Sequence, residues 1–301
     1  MKTLRPVLLA TALACGVWTQ DVLARDWPEA LTGGLQRIKQ TGVVRLGHRE
    51  NAIPFSYVGP DGKPVGYSLD LCDAVVATIA EDLGILPKVE YVRVTPQDRI
   101  ERVVSGAVDL ECGSTTNTAE RRRQVAFSPV IFITGTRIAV PRGSAIRGVA
   151  GLAGRSVAVV RGTTNETAMR EVVRLRGLRV TFVVADDYRE ALALLTAGKA
   201  DALAADEVLL LGLLAETGRA RDFRLVGELL SFEPYGLMYP RDDPELAEVV
   251  DRTQRNLAAS REIVWIYDRW FVRQLPSGRR LDLPMSPQLR RSFELLGLPP
   301  D

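Results

Sequence analysis

Gly113, Ser114, Thr115, Thr116 and Asn117 follow one another at the end of an apolar run, and Arg121 comes four residues after Asn117. Glycine lets a backbone come close to a ligand, the hydroxyls offer hydrogen bonds, and an arginine grips a carboxylate with two parallel N–H donors. Together they make a socket for a small anion. The run Val108–Cys112 reads as a strand, so the socket lies just past a strand's C-terminal end, where open α/β sheets bind ligands. Asn117 is expected as a helix N-cap with Glu120 as its capping-box partner, which would aim free N–H groups at the anion. The same residues also fit an ordinary capped helix with a surface arginine.

A second copy of the pattern favours the socket. In "VVRGTTNETAMRE" a strand again runs into Gly162, Thr163, Thr164 and Asn165 and then a helix. Two helix N-termini can close on one ligand from opposite sides. Neither junction ends in the Gly-Lys-Ser/Thr of a phosphate loop. Other charged residues sit at similar places: Arg49 just past an apolar strand, Arg99 at the start of a helix, Asp206 at the end of a strand. Arginines for two carboxylates plus one acid for an ammonium form the charge pattern of an acidic amino acid. Charge-assisted hydrogen bonds contribute about 1.5–3 kcal/mol each, so a handful, less the cost of closure, reaches roughly micromolar affinity.

Composition narrows the classes. The chain has 301 residues, 46% hydrophobic and 25% charged, enough for one large or two medium domains. A formal net charge of +2 gives no basis for nucleic-acid binding, and one histidine, His48, none for a His-based metal site. No cofactor is expected.

The elements that must position these residues read as α/β. "LTGGLQRIKQTG" is a helix closing at Gly42, "VVRLGHRE" a strand, and residues 51–66 a hairpin-like loop. Leu71, Val75 and Ile79 repeat at helical spacing. "KVEYVRV" and "VDLEC" are strands flanking the helix "DRIERVVSG". After residue 140 the alternation restarts and yields a second α/β unit, ending in the apolar helix "EVLLLGLLAETG". This gives two lobes with mainly parallel sheets, with the chain crossing between them near Ile133–Val140 and Leu229–Met238. We expect the first lobe over 25–136, the second over 137–232, and a return to the first over 233–301. Trp265, Tyr267, Trp270 and Phe271 are spaced as one packing face of a helix, and the Pro-rich tail is expected to wrap the surface.

Lys2, Arg5 and the apolar "PVLLATALACGVW" read as a secretion signal over 1–24, cleaved after Ala24. A lipidated Cys15 is the rival, but Leu13 is one position out of place. Export implies an oxidising compartment, in which Cys72 and Cys112 are either bonded or two buried thiols.

"GHRENAIPFSY", "GYSLDLCDAV", "ECGSTTNTAERRRQVAFS", "TGTR" and "RGTTNE" resemble, in order over about Leu35 to Phe293, the glutamate/aspartate-binding branch of the polar amino-acid solute-binding proteins of ABC importers. The resemblance implies a two-lobe clamp with a two-strand hinge, monomeric, delivering its ligand to membrane permease subunits from the periplasm. It places Arg121 on the ligand α-carboxylate with Thr116 and Thr164 beside it, Ser114 and Asp206 on the ammonium, and Arg49 and Arg99 on the side-chain carboxylate. Two positions depart from its pattern at the side-chain end: Pro96 stands for a serine and Tyr188 for a histidine. The same fold also carries enzymes, for which Glu50 and Glu111 are the candidate acids, and sensor domains, for which the sequence after the second lobe supplies no membrane helix.

Overall fold

The computed structural model describes residues 31–300. The secretion signal, its cleavage after Ala24 and Cys15 lie outside the described residues.

The chain opens with α1 (Gly33–Thr41), closed by the left-handed Gly42, and enters β1 (Val43–His48). Residues 51–65 form a small antiparallel sheet of β2 (Asn51–Ala52), β3 (Ser56–Val58) and β4 (Pro64–Val65). Then come α2 (Tyr67–Leu83), β5 (Lys88–Arg93), α3 (Arg99–Val104), β6 (Leu110–Glu111), β7 (Val125–Phe127) and β8 (Phe132–Thr134). The second unit runs β9 (Thr136–Pro141), β10 (Ser156–Val160), α4 (Thr164–Leu175), β11 (Thr181–Ala185), α5 (Tyr188–Thr196), β12 (Ala202–Asp206), α6 (Glu207–Glu216) and β13 (Phe223–Val226). The chain returns through β14 (Glu233–Tyr235) and β15 (Met238–Pro240) and ends with α7 (Pro244–Ala259), α8 (Glu262–Phe271) and α9 (Pro287–Leu295).

Two five-stranded sheets result, ordered β5-β1-β6-β15-β7 and β11-β10-β12-β9-β13. Each is mainly parallel, as expected, with four strands running one way and a single strand, β15 or β9, running against them. Three strands joined by helical crossovers run parallel, and the strand next to them is antiparallel because it comes directly from the connection between the lobes. Between the sheets, β8 and β14 pair antiparallel, Glu233 opposite Thr134 and Tyr235 opposite Phe132.

An aromatic cluster seats this two-stranded hinge on the first lobe. Phe132 packs on Phe55 at 5.0 Å and on Phe271 at 4.8 Å, and Tyr267 stacks on Phe271 at 4.5 Å. Tyr267, Trp270 and Phe271 therefore form the expected packing face of α8. Trp265 does not share it: it is 67% exposed, with Arg273 over its ring. Three residues after residue 262 the helix has turned this position to solvent. The tail does more than wrap the surface. Ser286 caps α9, which buries Leu289 and Phe293 beside β8. Cys72 on α2 and Cys112 after β6 form a disulfide. The apolar α6 is a buried helix, and no helix among the described residues is long and apolar enough to cross a membrane.

Candidate functional site

Strand ends bring the charged residues together. Arg49 follows β1, Ser114 and Thr116 follow β6, Thr163 follows β10, Tyr188 follows β11 and Asp206 ends β12. Parallel strands present their C-terminal ends on one edge of each sheet, and here the two edges face each other across the hinge. Arg99 joins from the first turn of α3.

The first junction differs from expectation. No α-helix starts at Asn117. The chain makes a single 3-10 turn over Arg121–Arg123, and the Asn117 N–H donates to Pro234 O at 2.8 Å. Thr116 bridges to Tyr235 of the hinge. The backbone is thus drawn along the hinge, which competes successfully with the local capping signal. The second junction is as expected. α4 begins at Thr164, and the Thr163 hydroxyl is used as its cap, donating to Val160 O and accepting from Glu166 N–H. Thr163 therefore orders the helix end and has no hydroxyl proton left for a ligand.

Three arginine side chains are almost fully buried here: Arg49 at 2%, Arg99 at 3% and Arg121 at 9% exposure. Among the described residues none of the three forms an ion pair. Arg121 Nη1 donates to Thr116 O at 2.9 Å. Arg99 Nη1 donates to Thr115 Oγ1 at 2.7 Å, and that hydroxyl donates to Glu111 Oε2 at 2.6 Å. Arg49 lies over the Tyr188 ring, 6.0 Å from its centroid. Burial, followed by the neighbouring Arg99 charge, pulls the Arg121 guanidinium down to about 10, and the same causes lower Arg49. At about 10, Arg121 remains a cation at neutral pH. Several donors and acceptors nearby are buried without a partner: Arg99 Nε, Ser114 Oγ, Asn165 Oδ1 and Glu111 Oε1.

Opposite the arginines is an acidic side. Asp206 accepts from Asn165 Nδ2 at 2.9 Å and from the Tyr235 hydroxyl. Burial, then repulsion by Glu233, raises its carboxyl to about 7. Tyr188 is pushed up to about 12, chiefly by burial, and so stays a neutral phenol. Glu233, on β14, accepts at Oε2 from Thr116 (2.6 Å) and Thr164 (2.7 Å), and at Oε1 from Ser231 (2.7 Å). The Ser231 proton being used there, the 2.8 Å contact between Thr136 and Ser231 has Thr136 as donor. Asn165 Nδ2 in turn donates to Thr136 Oγ1 at 2.8 Å. The hydroxyl directions in this chain are fixed by its two ends.

Glu233, Ser231, Thr136 and Tyr235 escape a reading of the sequence. "SFEPYG" has no spacing that marks a site, and only the return through the hinge places it there. Asn165 could have been found, as the last residue of the repeated Thr-Thr-Asn pattern. Glu50 pairs with Arg93 near the surface, and Glu111 supports the Thr115 hydroxyl that holds Arg99.

The lobes also touch around the site. Gln97 Nε2 donates to Arg161 O at 3.0 Å and Asp186 O at 3.1 Å. Gly162, at φ +73°, passes so close to Pro96 that a Cβ would lie 3.2 Å from its carbonyl oxygen. A Cβ on Gly212 of α6 would lie 2.3 Å from Ile53 O. Pro96 thus meets the second lobe through its backbone, and a small cavity of about 90 Å³ is lined by Arg49, Pro96, Gln97 and Asp187.

Comparison with known proteins agrees with this architecture. Residues 44–273 match the model of the bacterial extracellular solute-binding proteins, family 3. The chain is 39% identical over 289 residues to an L-glutamate/L-aspartate-binding protein of Pseudomonas aeruginosa, covering 95% of this chain and 94% of that protein. It is 33% identical, with the same coverage, to a glutamate/aspartate import solute-binding protein of Escherichia coli K12. A crystal structure of a variant of ArgBP from T. maritima superposes with a TM-score of 0.69 at 27% identity, over 78% of this chain and 98% of that one.

Proposed function

Because the chain belongs to the bacterial extracellular solute-binding proteins of family 3, we propose that it is the solute-binding component of an ABC importer for glutamate and aspartate. It acts by binding and not as an enzyme. The observation that carries the ligand class is the set of three buried arginines without an ion pair among the described residues, with the buried Asp206 carboxyl near enough to Arg121 to feel its charge. An unpaired buried charge costs several kcal/mol, so such a site favours an anionic ligand strongly. An acidic amino acid brings two carboxylates to the arginines and one ammonium to Asp206, while the buried Glu111 and Glu233 are engaged by the hydroxyls of Thr115, Thr116, Thr164 and Ser231.

In this reading the ligand first meets the first lobe. Arg121 holds the α-carboxylate, Arg49 and Arg99 hold the side-chain carboxylate, and Ser114 turns its unpartnered hydroxyl to the ligand. The second lobe then adds Thr164, Asp206 and Tyr188, with Thr163 shaping the end of α4. Thr116 and Thr164 meet at 3.3 Å across the closed cleft. Binding favours the closed state, which permease subunits in the membrane recognise. The lobes divide at the paired strands, near residues 136 and 232, and the protein works as a periplasmic monomer after removal of its secretion signal. Relatives of this chain at 39% and 33% identity, named for glutamate and aspartate, support the same ligands.

The test is calorimetric titration of refolded, ligand-stripped protein with glutamate, aspartate, glutamine and asparagine. Micromolar or tighter binding of an acid, with at least tenfold weaker amides, is expected. Amides binding tenfold tighter than acids would overturn the acidic-ligand reading.

A further inference from the structure

The hinge carboxylate of Glu233 is held by three hydroxyls and contacts both lobes. Oε2 accepts from Thr116 at 2.6 Å and Thr164 at 2.7 Å, and Oε1 accepts from Ser231 at 2.7 Å. The residue is 3% exposed, and no ion pair to it occurs among the described residues. A threonine hydroxyl has one proton and two lone pairs. With both protons committed to Glu233, Thr116 and Thr164 have only acceptor capacity left. Their 3.3 Å approach to each other is then a contact between two acceptors. An acceptor pair next to Asn165, which donates to Asp206 at 2.9 Å, attracts an ammonium and repels a carboxylate.

We propose that Glu233 is a specificity-determining positioning residue: by taking the protons of Thr116 and Thr164 it turns both into acceptors and makes an ammonium a required feature of the ligand. Glu233 itself touches no ligand. It sets the hydrogen-bond polarity of two residues, one from each lobe, and does so from the strand that joins them. This rests on the acidic-amino-acid reading above and moves the Thr116 and Thr164 hydroxyls from the α-carboxylate, where the resemblance puts them, to the amino group.

The experiment compares L-glutamate with glutarate, which keeps both carboxylates and lacks the ammonium. Wild-type protein is expected to prefer glutamate by a large factor. In Glu233→Gln the amide oxygen keeps the Ser231 proton, and the NH2 group, in the place of Oε2, donates to both threonine hydroxyls, so their protons are released toward the cleft. The ratio of the two Kd values is expected to fall at least tenfold. An equal loss for both ligands, or an unchanged ratio, would show that Glu233 only supports the fold and would overturn the proposal. Should the variant not fold, neutron diffraction of deuterated wild-type protein with glutamate decides. Deuterons of Thr116 and Thr164 directed at Glu233 support the proposal, and deuterons directed at the ligand refute it. Wild-type protein that binds neither acid would instead sink the acidic-amino-acid reading itself.

Discussion

At the scale of single residues, the site is a balance of buried charges, and its predictions follow from removing one at a time. Arg121→Ala strips the cation assigned to the α-carboxylate and leaves that group unpaired. Truncating one partner of a buried charged pair costs about 2–5 kcal/mol, so every amino-acid ligand is expected to bind roughly 30-fold to several thousandfold more weakly by calorimetry. Arg99→Ala should penalise glutamate far more than glutamine; equal losses would place Arg99 outside the side-chain pocket. Asp206 makes a pH prediction. Its carboxyl is raised from 3.8 to about 7 in the folded protein. Between those values the folded state keeps a proton that the unfolded chain has lost. Stability of the ligand-free protein is therefore highest below pH 4, falls as pH rises toward 7 and is flat above it, as far as this group is concerned. A ligand ammonium favours the ionised form, so binding near pH 6 should release protons and tighten as pH rises toward 7. Calorimetry in buffers of different ionisation enthalpy measures this release, and Asp206→Asn should abolish it.

At the scale of elements, each charged group is placed by a strand end, and the strand ends are secured by close contacts. Gly162 turns the chain from β10 into α4 at φ +73° with Pro96 O near the position of a Cβ. Gly162→Ala would strain that turn and push the lobes apart at the mouth of the site. We expect at least a tenfold loss in affinity with little change in secondary structure, read by titration and circular dichroism. The Cys72–Cys112 bond joins α2 to the residue just before Gly113 and Ser114. Replacing both cysteines by serine should lower stability by about 2–4 kcal/mol in denaturant unfolding. Spacing made α1, α2 and the α4–α5–α6 series legible, because their apolar repeats and closing glycines are local. The expected helix at Asn117 was not formed, since the hinge backbone takes the Asn117 N–H. The exposure of Trp265 and the presence of α9 were also hidden, because both depend on what packs beside them.

At the scale of the molecule, two sheets are joined by a two-stranded hinge, and in the proposed reading a ligand completes the closed form. The three arginines repel one another in the closed cleft, so ligand should stabilise the whole protein. At a hundredfold excess over Kd this amounts to about 2.7 kcal/mol. For a chain of this size the melting temperature should then rise by roughly 5 °C with glutamate. Glutamine at the same concentration should give a smaller shift. The tail adds a tie between lobes behind the hinge, where Ser277 donates to Glu216 at the end of α6 at 2.6 Å.

The α/β class, the two units and the residue types at each strand end were legible in the amino-acid order alone. Those properties are written in local periodicity and in short motifs such as Gly-Thr-Thr-Asn. The same order also marked the arginines and Asp206 as an opposed set, since charge type needs no coordinates. The folded arrangement was needed to bring Glu233, Ser231 and Thr136 to the candidate site, to make Thr163 a cap and to join Cys72 to Cys112. These depend on pairings between residues distant in the chain. Which proton a hydroxyl gives away, and to whom, is fixed by neighbours that the fold alone brings within hydrogen-bonding distance.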